Sequence, residues 1–112
     1  MQIIILPSFK RQVKPYVKKH RGFKEDLILC LENFNKKNSI CLGNNIYKIR
    51  FKIKNIPKGR NKSFRLVILF QEVNNRLAPI SIFFKGNKEN LNKKEINPAL
   101  NSALNELRMQ DV

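Results

Sequence analysis

In 112 residues the chain has one histidine, two cysteines, four glycines and only eight acidic side chains. Each scarcity removes a class of chemistry. His20, Cys30 and Cys41 are too few and too scattered to supply four ligands, which excludes a structural zinc site. With no Cys-x-x-Cys pair, Cys30 on a helical apolar stripe and Cys41 beside a turn read as free thiols in a reducing cytoplasm. There is no glycine-rich phosphate loop, no Ser/His/Asp grouping and no paired carboxylates, so most enzyme classes have no visible apparatus, and neither metal nor cofactor is expected. Nor does any apolar run approach the ~20 residues of a membrane helix. The first residues, MQIIILPSFK, carry an apolar run of four after Gln2, with no basic leader and no small-residue cleavage site, and read as a short buried strand.

What the chain has in excess is positive charge: 23 Lys and Arg against 8 Asp and Glu, a formal +15. That is far beyond what solubility requires and repels itself unless something acidic is bound. Nucleic acid, an acidic protein or an anionic membrane would answer. A membrane fits worst, because the cations sit on strands and loops as much as on helices. A general preference for Asn and Lys accounts for part of the surplus, so its clustering carries more information than its sum. At 42% hydrophobic content the chain can bury one modest core, which implies a single domain over residues 1–112.

The pattern along the chain gives an element order. After a strand at about residues 2–6, Ser8 is a plausible N-cap for a helix carrying Phe9, Val13, Tyr16 and Val17, with a kink or restart expected at Pro15. Lys18, Lys19, His20 and Arg21 crowd its end and Gly22 stops it, which makes His20 a helix-end residue rather than a catalytic base. FKEDLILCLENFNKK forms a second amphipathic helix with Phe23, Leu27, Leu31 and Phe34 on one stripe. A loop through Asn38, Gly43, Asn44 and Asn45 leads to IYKIRFKIK, the strongest period-two signal in the chain. SFRLVILF reads as a central strand, and LAPISIFF as another in which Pro79 marks an edge or a bulge. Asn97 and Pro98 supply an N-cap and N1 for a last helix with Leu100, Ala103, Leu104 and Leu107 on one stripe. The expected fold is α+β: a small, mostly antiparallel sheet of about four strands, with an N-terminal helical hairpin on one face, a C-terminal helix, and the helices together on that face.

In the alternating strand, Tyr47, Ile49, Phe51 and Ile53 face the helices while Lys48, Arg50, Lys52 and Lys54 face away. Strand geometry spaces these cations roughly 6 to 7 Å apart, comparable to successive phosphates of a nucleic-acid strand. Arg65 on the next strand can reach the same face, and the connection adds Lys58, Arg60 and Lys62. Such a surface neutralises phosphates, with affinity that falls steeply with salt. It could also cleave RNA. A lysine crowded by like charges gives up its proton more readily, so Lys48 or Lys52 is a candidate base, and Arg65 could hold the phosphorane through two parallel donors. From spacing alone, passive phosphate binding stands ahead of catalysis, with a solvated edge strand behind.

The order of elements, with FKRQVKPYVKKH, LGNNIYKIRFKIKN, SFRLVILF and ISIFFKGNKENLNKKEI, resembles the RelE/ParE superfamily of bacterial toxins over about residues 3–96, and most of all its RelE and HigB branch. The resemblance implies the toxin of a type II toxin–antitoxin system: an mRNA endoribonuclease that enters the ribosomal A site, uses the 2′-hydroxyl without metal, and inhibits translation. Its basic catalytic residues fall on Lys48 and Arg50, the phosphate-stabilising arginine on Arg65, and a further basic residue on Lys85, with Lys88 as a neighbour able to replace it. Lys52 and Lys54 then hold the flanking backbone. The tyrosine common near the C-terminus of RelE-like enzymes is missing. Leu91 stands near that place, and Phe83 and Phe84 stand where the HigB branch has an aromatic residue, which can stack on a base but transfers no proton. Pro98 is a second departure, expected to break the family's C-terminal helix. The implied partners are a cognate antitoxin, the ribosome and mRNA, with a hetero-oligomer formed through the antitoxin and a monomer when free. An acidic amphipathic segment is expected across the basic face or in a groove beside the helical hairpin. The alternatives are a ParE-like toxin acting on DNA gyrase and a non-catalytic RNA-binding protein.

Overall fold

A computed structural model describes residues 1–53, 63–84 and 93–110. Strand β1 (Gln2–Ile3) is followed by helices α1 (Pro7–Lys19) and α2 (Phe23–Glu32), a 3₁₀ turn (Lys36–Asn38), strands β2 (Ile40–Gly43), β3 (Ile46–Lys52), β4 (Ser63–Gln71) and β5 (Arg76–Phe84), and helix α3 (Lys93–Gln110). The protein is α+β, but its sheet has five strands rather than four, in the order β1-β5-β4-β3-β2. It is mixed: β1 runs parallel to β5 and the other three pairings are antiparallel.

The additional strand is β2, which lies in the stretch expected to be a loop. It pairs Ile40 with Lys48 and Cys41 with Tyr47, then slips between Cys41 and Gly43. Gly43, Asn44 and Asn45 all take positive φ, the left-handed conformation that glycine and asparagine tolerate, and this turns β2 straight into β3. Glu72–Asn75 makes the corresponding turn from β4 to β5, with Asn75 at φ 49°.

The helices do not share a face. Phe9 and Val13 of α1 and Phe23, Leu27 and Leu31 of α2 pack on Tyr47, Phe51, Phe64, Leu66 and Ile68 from one side of the sheet. Ala103 and Leu107 of α3 close a second cluster on the other side with Ile46, Val67, Leu69, Ala78 and Ile80. The first cluster is aromatic at its centre. Phe23 meets Phe51 and Phe64 edge-on at 5.3 and 5.7 Å, and Tyr16 meets Phe64 at 5.0 Å, geometries that add to the area each ring buries.

Two local expectations need correction. Ser8 is not the N-cap of α1: Leu6 is, without a side-chain bond, and Pro7 takes the first helical position. The free amides of that first turn are met from a distance. The Glu106 carboxylate on α3 accepts from Ser8 N at 3.0 and 3.2 Å and from Ser8 Oγ at 3.0 Å, placing a negative charge at the positive end of the helix. Neither proline ends its helix. Pro15 lies within α1 and Pro98 within α3, which already runs from Lys93, so Asn97 and Pro98 are interior residues. His20 is the C-cap of α1, as expected, and donates its backbone N–H to Tyr16 O.

Candidate nucleic-acid interface

The β3–β4 ladder pairs Lys48 with Val67, Arg50 with Arg65 and Lys52 with Ser63. Because successive residues alternate between faces, these positions share the side of the sheet opposite the α1/α2 hairpin, the side on which Ile46, Val67 and Leu69 pack against α3. One sheet face therefore has two ends. The end that includes Ile46 and Leu69 lies under α3, and the end that includes Lys48, Arg50, Lys52 and Arg65 carries the charge. Arg50 and Lys52 are exposed, while Lys48 and Arg65 are half-buried.

Arg50 and Arg65 are direct cross-strand partners, a placement that brings two guanidinium-bearing residues to within about 4.5–5.5 Å at their Cα atoms. Like charges so placed oppose folding. The Arg65 guanidinium is held below its ordinary pKa, first by partial burial and second by the Arg50 charge. Its Nη1 donates a long 3.5 Å bond to the Phe64 carbonyl, which keeps the head group close to the strand.

The platform beneath is closely packed. Phe51 and Phe64, neighbours of Arg50 and Arg65 in sequence, are themselves a cross-strand pair pointing into the aromatic core. Cys30 of α2 contributes as well: its thiol lies 3.8 Å from the Arg50 carbonyl oxygen, in donor geometry, and partial burial pushes its pKa up. Both Cys30 and Cys41 are free thiols.

Phe83 reaches this face through an irregularity invisible in the sequence. The β4–β5 register shifts between Val67 and Ile68, so that Ile68 pairs with Pro79 and Val67 with Ser81. Ile80 is the extra residue of a bulge, and parity flips across it. Ala78 and Ile80 point to the α3 side before the bulge, and Phe83 points there after it, while Ile82 joins the helix-hairpin core. Phe83 is thus in register with Arg65, in the row Arg50, Arg65, Phe83. It is only 9% exposed, so its ring forms a wall of the face rather than a free stacking platform.

The backbone at the bulge is completed by a side chain. β1 pairs only with Arg76 and Leu77, leaving the later part of β5 without a neighbour strand on that side. Gln12 of α1 stands in for one. Its Nε2 donates to Ile80 O at 2.9 Å and its Oε1 accepts from Ile82 N at 3.2 Å. Pro79, which has no N–H to leave unsatisfied, sits beside it. No local pattern marks Gln12 for this work, because its partners lie about 70 residues away.

Lys54, Lys58, Arg60, Lys62, Lys85 and Lys88 lie outside the described residues, as does Leu91. Of the sequence candidates, the structure brings together Lys48, Arg50, Lys52, Arg65 and Phe83. Among the described residues no cluster of three or more His, Cys, Asp or Glu could hold a metal ion, and no helix is long and apolar enough to cross a membrane. The chain matches no protein-family model and no curated protein.

Proposed function

We propose that the protein is a metal-independent mRNA endoribonuclease, the toxin of a type II toxin–antitoxin pair, which acts on messenger in the ribosome and so inhibits translation. The observation that carries the reading is the Arg50–Arg65 cross-strand pair, flanked by Lys48 and Lys52 on one strand face. A folded protein that opposes two arginines has their repulsion built into its sheet, and a bound phosphate relieves it. In this reading Lys48, reacting as its neutral amine, accepts the 2′-hydroxyl proton and the 2′ oxygen attacks phosphorus. Arg65 stabilises the charge on the phosphorane, and Arg50 faces the 5′ oxygen as its bond to phosphorus breaks and it takes a proton from solvent. Lys52 holds the flanking backbone. Lys85, the remaining catalytic candidate, belongs to the same reading without a described position. The implied setting is the cytoplasm, with an antitoxin as partner.

One observation favours a second reading, passive RNA binding. Tyr47 and Tyr16 pack on the helix-hairpin side and the His20 ring stacks toward Phe23, so among the described residues the cationic face offers lysine alone as a neutralisable base. Expression in bacterial cells separates the two. Cleavage predicts growth arrest and shortened translated messages, both relieved by Arg65→Ala in a folded protein. Passive binding predicts similar weakening from the loss of any one cation, with the salt slope falling by about one unit per phosphate contact. An equally toxic Arg65→Ala protein overturns the assignment.

A further inference from the structure

The sheet face that carries the arginine pair ends differently on its two sides. Toward β4 and β5 the rows through the cations run into closed apolar surface. Lys48 is followed by Val67, 1% exposed, and Arg50 by Arg65 and then Phe83, which is almost as well covered. Toward the sheet edge, the row through Lys48 ends in its other cross-strand partner, Ile40 of β2, which is 58% exposed. Leu42, which together with Gly43 opposes Ile46 at the slip in register, is 41% exposed. Cys41 between them pairs with Tyr47 and belongs to the hairpin side. β2 is the last strand of the sheet and has no charged residue, in a chain with 23 Lys and Arg. Lysine is the usual guard of such an edge.

We propose that Ile40 and Leu42 form a shelf for an unpaired base of the RNA whose phosphates lie on Lys48, Arg50 and Arg65. The inference rests on the RNA-binding part of the proposed function and does not require cleavage. A single strand that runs along β3 with its phosphates on the cations must turn its bases to one side. On the β4 and β5 side Val67, Ile80 and Phe83 are already buried with α3, which leaves no apolar area for a base to cover. On the β2 side, one strand spacing or about 4.8 Å away, two aliphatic side chains stand open. A base laid on them takes apolar area of both partners out of water. The shelf has no side-chain donor or acceptor, so it senses that a base is present and unpaired rather than which base it is. A duplex keeps its bases inside and reaches only the cations. A second copy of this chain is a poor occupant, because pairing the two edges brings together two cationic rows on chains of +15 each.

The test uses the full chain and two oligomers of about 12 units: a 2′-O-methyl RNA of mixed sequence, and the same 2′-O-methyl sugar-phosphate chain without bases. Neither has a free 2′-hydroxyl to attack phosphorus, so binding is read without cleavage. In fluorescence anisotropy the base-bearing oligomer should bind about three- to tenfold tighter than the abasic one. Ring-current shifts should appear at the methyl groups of Ile40 and Leu42 with the first oligomer and not with the second. Ile40→Ser should close the gap between the oligomers and leave the salt slope as it is, while Ile40→Phe should widen the gap. Arg50→Ala should weaken both and lower the slope by about one unit. Ile40 is exposed on an edge strand, and circular dichroism checks that each variant folds. Equal binding of the two oligomers by the native chain, or an unchanged gap in Ile40→Ser, overturns the shelf and leaves the cationic face as an RNA site. Binding of neither oligomer overturns the RNA reading and the shelf together. An Ile40-dependent gap in a protein that cleaves no messenger supports the shelf and overturns only the nuclease reading. A dimer that sediments as such and is dissociated by Ile40→Ser overturns the shelf and assigns the edge to a second copy.

Discussion

The seven residue pairs of the β3–β4 ladder alternate between two faces that do opposite work. On the hairpin side, Phe51 and Phe64 oppose each other and join Phe23 and Tyr16 in a buried aromatic cluster. One residue along each strand, on the far side, Arg50 opposes Arg65. The aromatic pair contributes apolar burial and ring contacts; the arginine pair contributes repulsion. A sheet can hold a destabilising pair in a fixed geometry when the pair behind it is strong, and that is the arrangement a preformed phosphate site requires.

The largest effect should come from removing that support. Phe64→Ala, at a fully buried position, should lower unfolding free energy by about 3–5 kcal/mol in urea denaturation. If the loss were below about 1 kcal/mol, the aromatic cluster would not be what holds the ladder. Glu106→Ala removes the carboxylate that meets Ser8 N and Oγ, and should cost about 1–3 kcal/mol. Gln12→Ala leaves the Ile80 carbonyl and Ile82 N–H without their side-chain partner and should cost about 1–2 kcal/mol. Its more telling readout is amide exchange, which should quicken at Ile82 and Phe83 before it does in β3. The smallest change, and of opposite sign, is expected on the charged face. Arg50→Ala should leave stability unchanged or raise it by up to about 1 kcal/mol, while lowering the salt slope of single-stranded RNA binding by about one unit. A clear loss of stability would mean that the arginines support the fold rather than a ligand.

How much of this could be read from the chain follows from how local each feature is. The alternation in IYKIRFKIK fixes which residues share a face, and the face assignment of Lys48, Arg50 and Lys52 came directly from it. Asn75 marks the turn from β4 to β5 by an equally local signal, since asparagine tolerates the left-handed backbone found there. β2 was missed because ICLG is four residues long and wholly exposed, without a burial pattern to betray it. Its turn signal, Gly43-Asn44-Asn45, is equally the signal of a loop. A stripe on α3 shows that the helix packs but not on which side of the sheet, so the split of the helices between faces was hidden. The bulge at Ile80, the Gln12 bridge and the Glu106 cap are all matters of long-range register. Pro79 hinted at the first, and nothing local could announce the other two. Pro98 misled in the opposite direction, suggesting a helix start in what is the interior of α3.

The central claim is that the arginine pair handles a scissile phosphate. The most direct measurement is cleavage of messenger on translating ribosomes by purified protein, comparing the native chain with Arg65→Ala under conditions where both are folded. The account predicts cleavage by the native protein and a loss of about 10²–10³-fold on removing this one guanidinium, the scale expected for a lost donor to a developing oxyanion. Cleavage at the native rate by Arg65→Ala, or no cleavage by the native protein, would contradict it.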